Sequence, residues 1–297
     1  MTWLRTLLLV LLSVASTQTL AWVPDRPITV TIGYAAGSQN EMAFTRAAEI
    51  VKQNNPGIAF VLAIRPGVDG VLANNHLVTQ PADGLTVGVP SIAATVVAND
   101  RWYSNVKHYN WVACSIPVVL GETHLALIAN PRSKINTLSD FLFLLKTTRQ
   151  PINIATSGGS QSLAFADLPT RDSNANEIKY RNSAEVAVAV AGNQTEFGIT
   201  AVGSVMELVK AKQLKIITTS EKQNPNFRVT NGFMLMLPPG TSSDIVEWYE
   251  QEFGRAIQDP RYQQWAQLNN ISVNTELRHN AYNRQYLYAY QRKFSGK

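Results

Sequence analysis

Short apolar runs alternate with helical patterns along nearly the whole chain, and this alternation restricts the fold more than any other feature of the sequence. Eight runs are rich in Val, Ile, Thr and Phe, which predicts strands at Ile28–Tyr34, Ile58–Ala63, Leu85–Val89, His124–Ala129, Ile152–Thr156, Phe197–Thr200, Leu214–Thr219 and Phe233–Leu237. Between them, apolar residues recur at helical spacing over 41–54, 138–147 and 242–257. This order predicts an α/β fold with a largely parallel sheet.

Two of the predicted helices begin with a capping-box pattern. Thr137 precedes Asp140, and Thr241 precedes Asp244, with Asp in the place where Glu is usual. In a capping box, the threonine hydroxyl and the acidic side chain each accept a backbone N–H that the first helical turn leaves unpaired. We therefore expect both helices to be capped by these side chains.

The length of 297 residues favours two domains, although no Gly/Ser-rich or Pro-rich linker divides the chain. We expect the strands at 124–129 and 214–219 to be paired crossovers that flank an inserted domain. Lobe 1 would then comprise 22–128 plus 223–297, and lobe 2 would comprise 129–222. Two discontinuous α/β lobes of this kind enclose a cleft and commonly close about a hinge.

The first 21 residues resemble a secretory signal peptide. Arg5 is their only charged residue, Leu7 to Leu12 is an unbroken apolar run, and small residues stand at Thr19 and Ala21. The alternative is a membrane anchor, but the apolar run is too short to span a hydrocarbon core of about 30 Å. We expect cleavage after Ala21 and export of the mature chain.

The composition excludes several classes of site. The single cysteine, Cys114, excludes an internal disulfide framework, and its apolar surroundings predict a buried structural thiol. The four histidines have no short metal-ligand spacing, so we expect no metal and no cofactor. A net charge of +5 weakly favours an anionic small ligand. Tyr282, Tyr286 and Tyr290 recur every four residues, which indicates helix packing rather than binding of nucleic acid.

Two loops carry small, hydroxylated residues between a strand and a helix. The first contains Ala36, Gly37, Ser38 and Gln39, and the second runs from Thr156 to Ser160. A helix N-terminus presents free backbone N–H groups and a positive partial charge, which suits an anion. The alternatives are an ordinary capped turn for the first loop and a flexible Gly/Ser loop for the second.

A secreted serine hydrolase is the catalytic alternative. Gly158 to Ser162 is similar to a nucleophile elbow, but its fifth position is serine rather than glycine. His279 is the only histidine late enough in the chain for the Ser–Asp–His order. We regard a binding protein without catalytic activity as the better interpretation.

The order of several motifs resembles that of the Bug family, the periplasmic solute receptors of tripartite tricarboxylate transporters. Residues 26–28 are similar to the family's KPI, 64–70 to NRPGAGG, 81–86 to PDGYT, 153–160 to NFASAGNGSS and 238–241 to PAGTP. The resemblance covers nearly all of the mature chain. It implies a two-lobed, periplasmic-binding-protein-like fold with discontinuous lobes, a ligand cleft and two crossover strands.

The resemblance also implies a function and a site. The function is capture of a small carboxylate-bearing metabolite, a di- or tricarboxylate or a related organic acid, for delivery to integral-membrane permease subunits. The positions that match the family's site are Tyr34, Ala36, Gly37, Ser38, Gln39, Ser91, Thr156, Ser157, Gly158, Gly159, Ser160, Tyr180 and Thr200. We expect a periplasmic monomer that binds no nucleic acid, and we expect positive residues at the rim of the cleft, such as Arg181, to steer an anion. The alternative is a periplasmic sensor that uses the same cleft to feed a signalling system.

Overall fold

The structure is a computed structural model that describes residues 22–98, 109–170, 173–222 and 224–294. The predicted signal peptide and its cleavage site lie outside these residues. The described strands are β1 Ile28–Ile32, β2 Phe60–Ile64, β3 Thr86–Gly88, β4 Val119–Ala129, β5 Ile152–Thr156, β6 Ala175–Lys179, β7 Phe197–Ala201, β8 Lys215–Thr219, β9 Thr230–Met234 and β10 Ile271–Ser272. The described α-helices are α1 Gln39–Asn54, α2 Val71–Leu77, α3 Leu138–Thr147, α4 Ser160–Asp167, α5 Ser183–Ala191, α6 Met206–Lys210, α7 Ser243–Gln258, α8 Pro260–Leu268 and α9 Asn280–Phe294.

The strands form one parallel sheet and one mixed sheet. The order β2-β1-β3 is parallel throughout. In the seven-stranded sheet, β5 runs parallel to β6 and β7, whereas β4 runs antiparallel to β7, β8, β9 and β10. The prediction of a largely parallel sheet is therefore wrong for the strands around β4. An apolar run reports that a strand is buried but carries no information about the direction of its neighbours.

Strand β4 pairs with different strands along its two parts. Its first part, Val119 to His124, pairs with β9, and its second part, Leu125 to Ala129, pairs with β7 and β8. The predicted pairing of 124–129 with 214–219 is present as the β4–β8 ladder. The exact lobe boundaries stay a prediction.

Apolar helix faces pack against the strands in separate clusters. The predicted apolar face of α1 is buried: Ala43, Ala47, Ile50 and Val51 lie in a cluster with Ile28 and Val30 of β1 and Phe253 of α7. A second cluster joins Ile128 of β4 to Ala155 of β5 and Val186 of α5. Burial of these side chains stabilises each sheet by about 25 cal/mol per Å² removed from water. Within the described residues, no helix combines the length and apolarity needed to cross a membrane.

The two capping boxes have different outcomes. At α3 the prediction is confirmed, because Thr137 Oγ1 accepts from Asp140 N–H at 3.1 Å and Asp140 Oδ2 accepts from Thr137 N–H at 3.0 Å. At α7 it is wrong, because Ser242 is the N-cap and its side chain makes no capping bond. The Thr241 hydroxyl instead donates to Pro238 O at 2.7 Å. The turn that precedes α7 therefore uses this hydroxyl, which does not cap the helix.

Two further sequence expectations need correction. Strand β6 has no counterpart among the predicted strands. Ala175–Lys179 is a largely polar segment that, among the described strands, pairs only with β5 at a sheet edge. The tyrosine stripe of α9 packs only in part. Tyr290 is buried and Tyr286 packs against the core, but Tyr282 is 61% exposed. A period of four residues drifts around a helix of 3.6 residues per turn, which moves the first tyrosine out of the packed face.

Candidate functional site

The two predicted loops line the same cavity. The β1–α1 loop (residues 33–38) and the β5–α4 loop (residues 157–159) contribute to a space of about 360 Å³, which we call the loop cavity. The predicted site residues that line it are Tyr34, Ala36, Gly37, Ser38, Gln39, Ser91, Ser157, Gly158, Gly159 and Ser160. This cavity matches small-molecule sites in size.

Three of the predicted site residues lie outside this lining and bond to neighbouring elements. Thr156 is fully buried at the end of β5, where its hydroxyl donates to Glu177 Oε1 at 2.6 Å. Thr200 is also fully buried and donates to Ser183 O at 3.0 Å. Tyr180 packs against the cluster that contains Val186 and Val190, and its N–H donates to Thr156 O at 2.7 Å. Their predicted contact with a ligand stays a prediction.

Several lining residues were missed by sequence reasoning. They are Asn40, Met42, Gln161, Asn182, Ser183, Ala184, Ser204 and Asn231, whereas Arg181, expected at the rim, also lines the cavity. A local signal existed for one segment, because Asn182 and Glu185 have the spacing of a helix cap. Asn182 Oδ1 accepts from Glu185 N–H at 2.9 Å and begins α5. No local pattern distinguishes Ser204 or Asn231, which reach the cavity only through the tertiary fold.

The first loop offers backbone donors at the start of a long helix. Ser38 is the N-cap of α1, and its hydroxyl accepts from Glu41 N–H at 3.4 Å. The Gly37 N–H is already engaged, since it donates to Glu41 Oε2 at 2.7 Å. Within the described part of the chain, the N–H groups of Gln39 and Asn40 donate to no protein acceptor. These two N–H groups can therefore bind an acceptor brought by a ligand.

The second loop is held rigid by its own hydrogen bonds. Both Gly158 and Gly159 have positive φ, at 86° and 54°, which favours glycine at these positions. The Ser157 N–H and hydroxyl both donate to Gln161 Oε1, at 2.6 and 2.5 Å. Gln161 Nε2 in turn donates to the Ser183 hydroxyl at 2.8 Å. This chain of bonds connects the start of α4 to the start of α5.

One side chain connects the two loops. Asn231 of β9 donates from Nδ2 to Gln39 Oε1 at 3.0 Å and accepts from Ser160 Oγ at 2.9 Å. Ser160 Oγ also lies 3.2 Å from Ser91 Oγ. Neutral hydroxyl and amide groups therefore make up a continuous polar network from the first helix start to the second.

The only charged side chain in the described lining is Arg181. Its guanidinium lies 2.7 Å from the Glu185 carboxylate, and this hydrogen bond lowers the pKa of Glu185. Burial raises the pKa of Tyr34 well above its usual range, and the nearby charge of Asp69 raises it further. Tyr34 is therefore a neutral group, and its hydroxyl donates to Asp69 O at 3.1 Å.

The groups considered for catalysis lie in other environments. His279 Nδ1 is 3.3 Å from Glu250 Oε2 at the start of α9. The Ser160 hydroxyl is engaged by Asn231 and Ser91. Cys114 is buried, as predicted, and burial raises the pKa of its thiol to about 12. The described lining of the loop cavity contains neither histidine nor cysteine.

Comparison with known proteins gives both sequence relatives and structural neighbours. No family model matches the chain. Protein BugT of Bordetella pertussis is 23% identical over 254 residues, which cover 79% of this chain and 77% of the relative. The chain is therefore similar in sequence to a Bug protein along most of its length.

Solved structures of periplasmic binding and solute-binding proteins have a similar fold. The periplasmic binding protein BugD has a TM-score of 0.79 at 14% identity, covering 92% of this chain and 96% of BugD. MatC from Rhodopseudomonas palustris, solved with bound malate, also has a TM-score of 0.79, at 16% identity and with 92% and 98% coverage. The predicted resemblance to the Bug proteins and the two-lobed α/β fold are thereby confirmed.

Proposed function

We propose that this protein is a periplasmic solute-binding protein that captures a small carboxylate-bearing metabolite in the loop cavity. The observation that carries the proposal is the meeting of two helix starts, α1 and α4, around one cavity lined by hydroxyl, amide and backbone N–H groups. The kinship with the Bug proteins supports it, and so does a structural neighbour that holds malate. The proposal includes no bond-making or bond-breaking step.

The carboxylate docks first on the start of α1. The N–H groups of Gln39 and Asn40 are free to donate, and the aligned peptide dipoles of this 16-residue helix add a positive partial charge there. Arg181 lines the same cavity and attracts an approaching anion, although Glu185 offsets part of its charge. The first loop therefore supplies the primary anion contact.

Closure of the two lobes then buries the ligand. Contacts that exist only in the closed form supply the free energy that shifts the population towards closure. Asn231 and Ser160 are suited to this role, because their hydrogen bonds connect the second loop to Gln39 of the first. A ligand that replaces water between the loops adds further contacts of this kind.

The proposal also covers the export of the protein and the delivery of its ligand. The signal peptide is removed after Ala21, and the mature monomer delivers its ligand to the permease subunits of a tripartite tricarboxylate transporter. The apolar run at 7–12 supports export, and the Bug relatives support the transport role.

Calorimetry of the purified exported protein tests this function. We expect binding of small carboxylates and no binding of the corresponding amides, because only the ionised group uses the partial charge of the α1 start. Ser38→Ala should weaken binding by roughly tenfold, the worth of one hydrogen bond in the site. Ser242→Ala is the matched control, since Ser242 is an N-cap without a side-chain capping bond. Equal binding of acids and amides would contradict the proposal.

A further inference from the structure

An internal carboxylate lies at the second loop. Asp69 belongs to the turn Val68–Gly70 between β2 and α2, and its side chain is only 8% exposed. A Cβ atom placed on Gly158 would lie 1.6 Å from Asp69 Oδ1, so the carboxylate occupies the space that glycine leaves at this position. The motif of the Bug family that residues 64–70 resemble has glycine where this chain has Asp69.

The groups that interact with the Asp69 carboxylate belong to β6 and to the β5–α4 loop. Lys179 Nζ of β6 lies 3.2 Å from Asp69 Oδ2, and the backbone N–H of Gly159, like Lys179, acts to lower the pKa of this carboxyl. The backbone of Asp69 is anchored as well, because its carbonyl oxygen accepts from the Tyr34 hydroxyl at 3.1 Å. Burial raises the pKa of Asp69, while Lys179 acts to lower it.

The two helix starts therefore differ in what they can offer a ligand. At α1, the N–H groups of Gln39 and Asn40 remain free. At α4, the Asp69 carboxylate lies behind Gly158, and the Ser157 donors are used by Gln161. A second anionic group of a ligand at this end would meet the Asp69 carboxylate behind Gly158 and no free donor on Ser157.

We propose that Asp69 is a specificity-determining residue that restricts the ligand to a single carboxylate. The inference rests on the proposed function and narrows its ligand class. The carboxylate binds at the start of α1, and the uncharged remainder of the ligand faces Gly158 and Gly159. Asp69 acts from behind the lining at Gly158, through its charge, rather than by direct contact with the ligand.

A merely structural role for Asp69 has a different signature. The Asp69–Lys179 pair joins residues 110 positions apart and holds two parts of the structure together. If it served only to stabilise that contact, its loss would change the affinity for every ligand by the same factor. A role in specificity changes the ratio of the affinities for ligands with one and with two carboxylates.

The experiment compares ligands matched in chain length. Dissociation constants are measured by calorimetry for hexanoate against adipate and for butyrate against succinate. We expect the wild-type protein to bind the monocarboxylate of a pair at least tenfold more tightly. Asp69→Asn, which keeps the shape of the side chain, should reduce this preference by at least fivefold. Lys179→Met should also reduce it, because Lys179 acts to lower the pKa of Asp69, and without Lys179 less of this carboxyl is ionised.

Controls separate the possible outcomes. Asp25→Asn makes the same chemical change at an exposed carboxylate, whose side chain is 79% exposed, and should leave the ratio unchanged. Affinities that shift equally for both members of a pair, in both the Asp69 and the Lys179 variants, would overturn the inference and leave the proposed function intact. If the wild type and all variants bind no carboxylate, the proposed function itself fails, and this inference fails with it.

Discussion

The side-chain amide of Asn231 donates to Gln39 Oε1 at 3.0 Å, across 192 residues of sequence. The oxygen of the same amide accepts from Ser160 Oγ at 2.9 Å. Gln39 is the first residue of α1 and Ser160 is the first residue of α4. One side chain on β9 therefore sets the distance between the two helix starts that line the loop cavity.

Replacement of this amide should weaken ligand binding. We expect Asn231→Ala to lower the affinity for a carboxylate by roughly tenfold, since two hydrogen bonds that align the loops are lost. Asn231→Asp should lower it further, because its carboxylate would face the Gln39 oxygen without a donor. Calorimetry measures both effects. Asn176→Ala is the control, as Asn176 is exposed on β6, and an equal loss of affinity there would contradict the prediction.

Because Asp69 lies so close to Gly158, a methyl group added at position 158 should strongly lower the free energy of unfolding. Gly158→Ala combines a positive φ of 86° with a direct clash against the Asp69 carboxylate. Gly240→Ala is a matched control, because its φ is 83° and nothing lies within 4 Å of its Cβ position. Strain at positive φ alone costs about 1 kcal/mol or somewhat more. Urea unfolding should show a loss at Gly158 that exceeds the loss at Gly240 by more than about 1 kcal/mol.

A second-site change tests the origin of that cost. In the Gly158→Ala background, Asp69→Ala removes the clashing group, so the two changes should be strongly non-additive. Strict additivity of the two unfolding free energies would show that the methyl group does not meet Asp69.

The two helix caps give a matched pair for stability. Thr137 caps α3 through its hydroxyl, and Thr137→Ala should lower the free energy of unfolding by about 0.5–2 kcal/mol. Ser242 is the N-cap of α7 without a side-chain capping bond, so Ser242→Ala should change this free energy by less than about 0.5 kcal/mol. Urea denaturation of both variants provides the measurement. The reverse order of the two losses would refute the assigned capping geometry.

Glu122 of β4 should make the stability depend on pH. Its Oε2 accepts from Thr230 Oγ1 at 2.9 Å, yet burial raises its pKa above the ordinary value of 4.5. The folded protein then binds this proton more tightly than the unfolded chain does. The contribution of Glu122 to stability therefore falls as the pH rises from about 4.5 through the raised pKa.

Glu122→Gln should flatten the pH dependence in this range. Urea unfolding at a series of pH values measures the slope for the variant and for the wild type. Glu207→Gln, at a side chain that is 87% exposed, should leave the slope unchanged. An unaltered slope in Glu122→Gln would show that Glu122 titrates alike in the folded and unfolded chains.

Most elements of the fold could be predicted, and the failures have physical reasons. The face of α1 was predicted because its apolar spacing repeats within one helix. Strand β6 was missed because an edge strand half exposed to water needs few apolar residues. The antiparallel neighbours of β4 were missed because strand direction depends on how distant segments return to the sheet.

The sequence by itself determined the local geometry of the candidate site. A strand, a turn of small residues and a helix start occur at 28–39 and again at 152–160, because turns and caps depend on neighbours a few residues away. Only the tertiary structure decided which groups join these loops. Asn231, Arg181 and Asp69 come from other elements, and their approach depends on strand order and packing, which local periodicity does not encode.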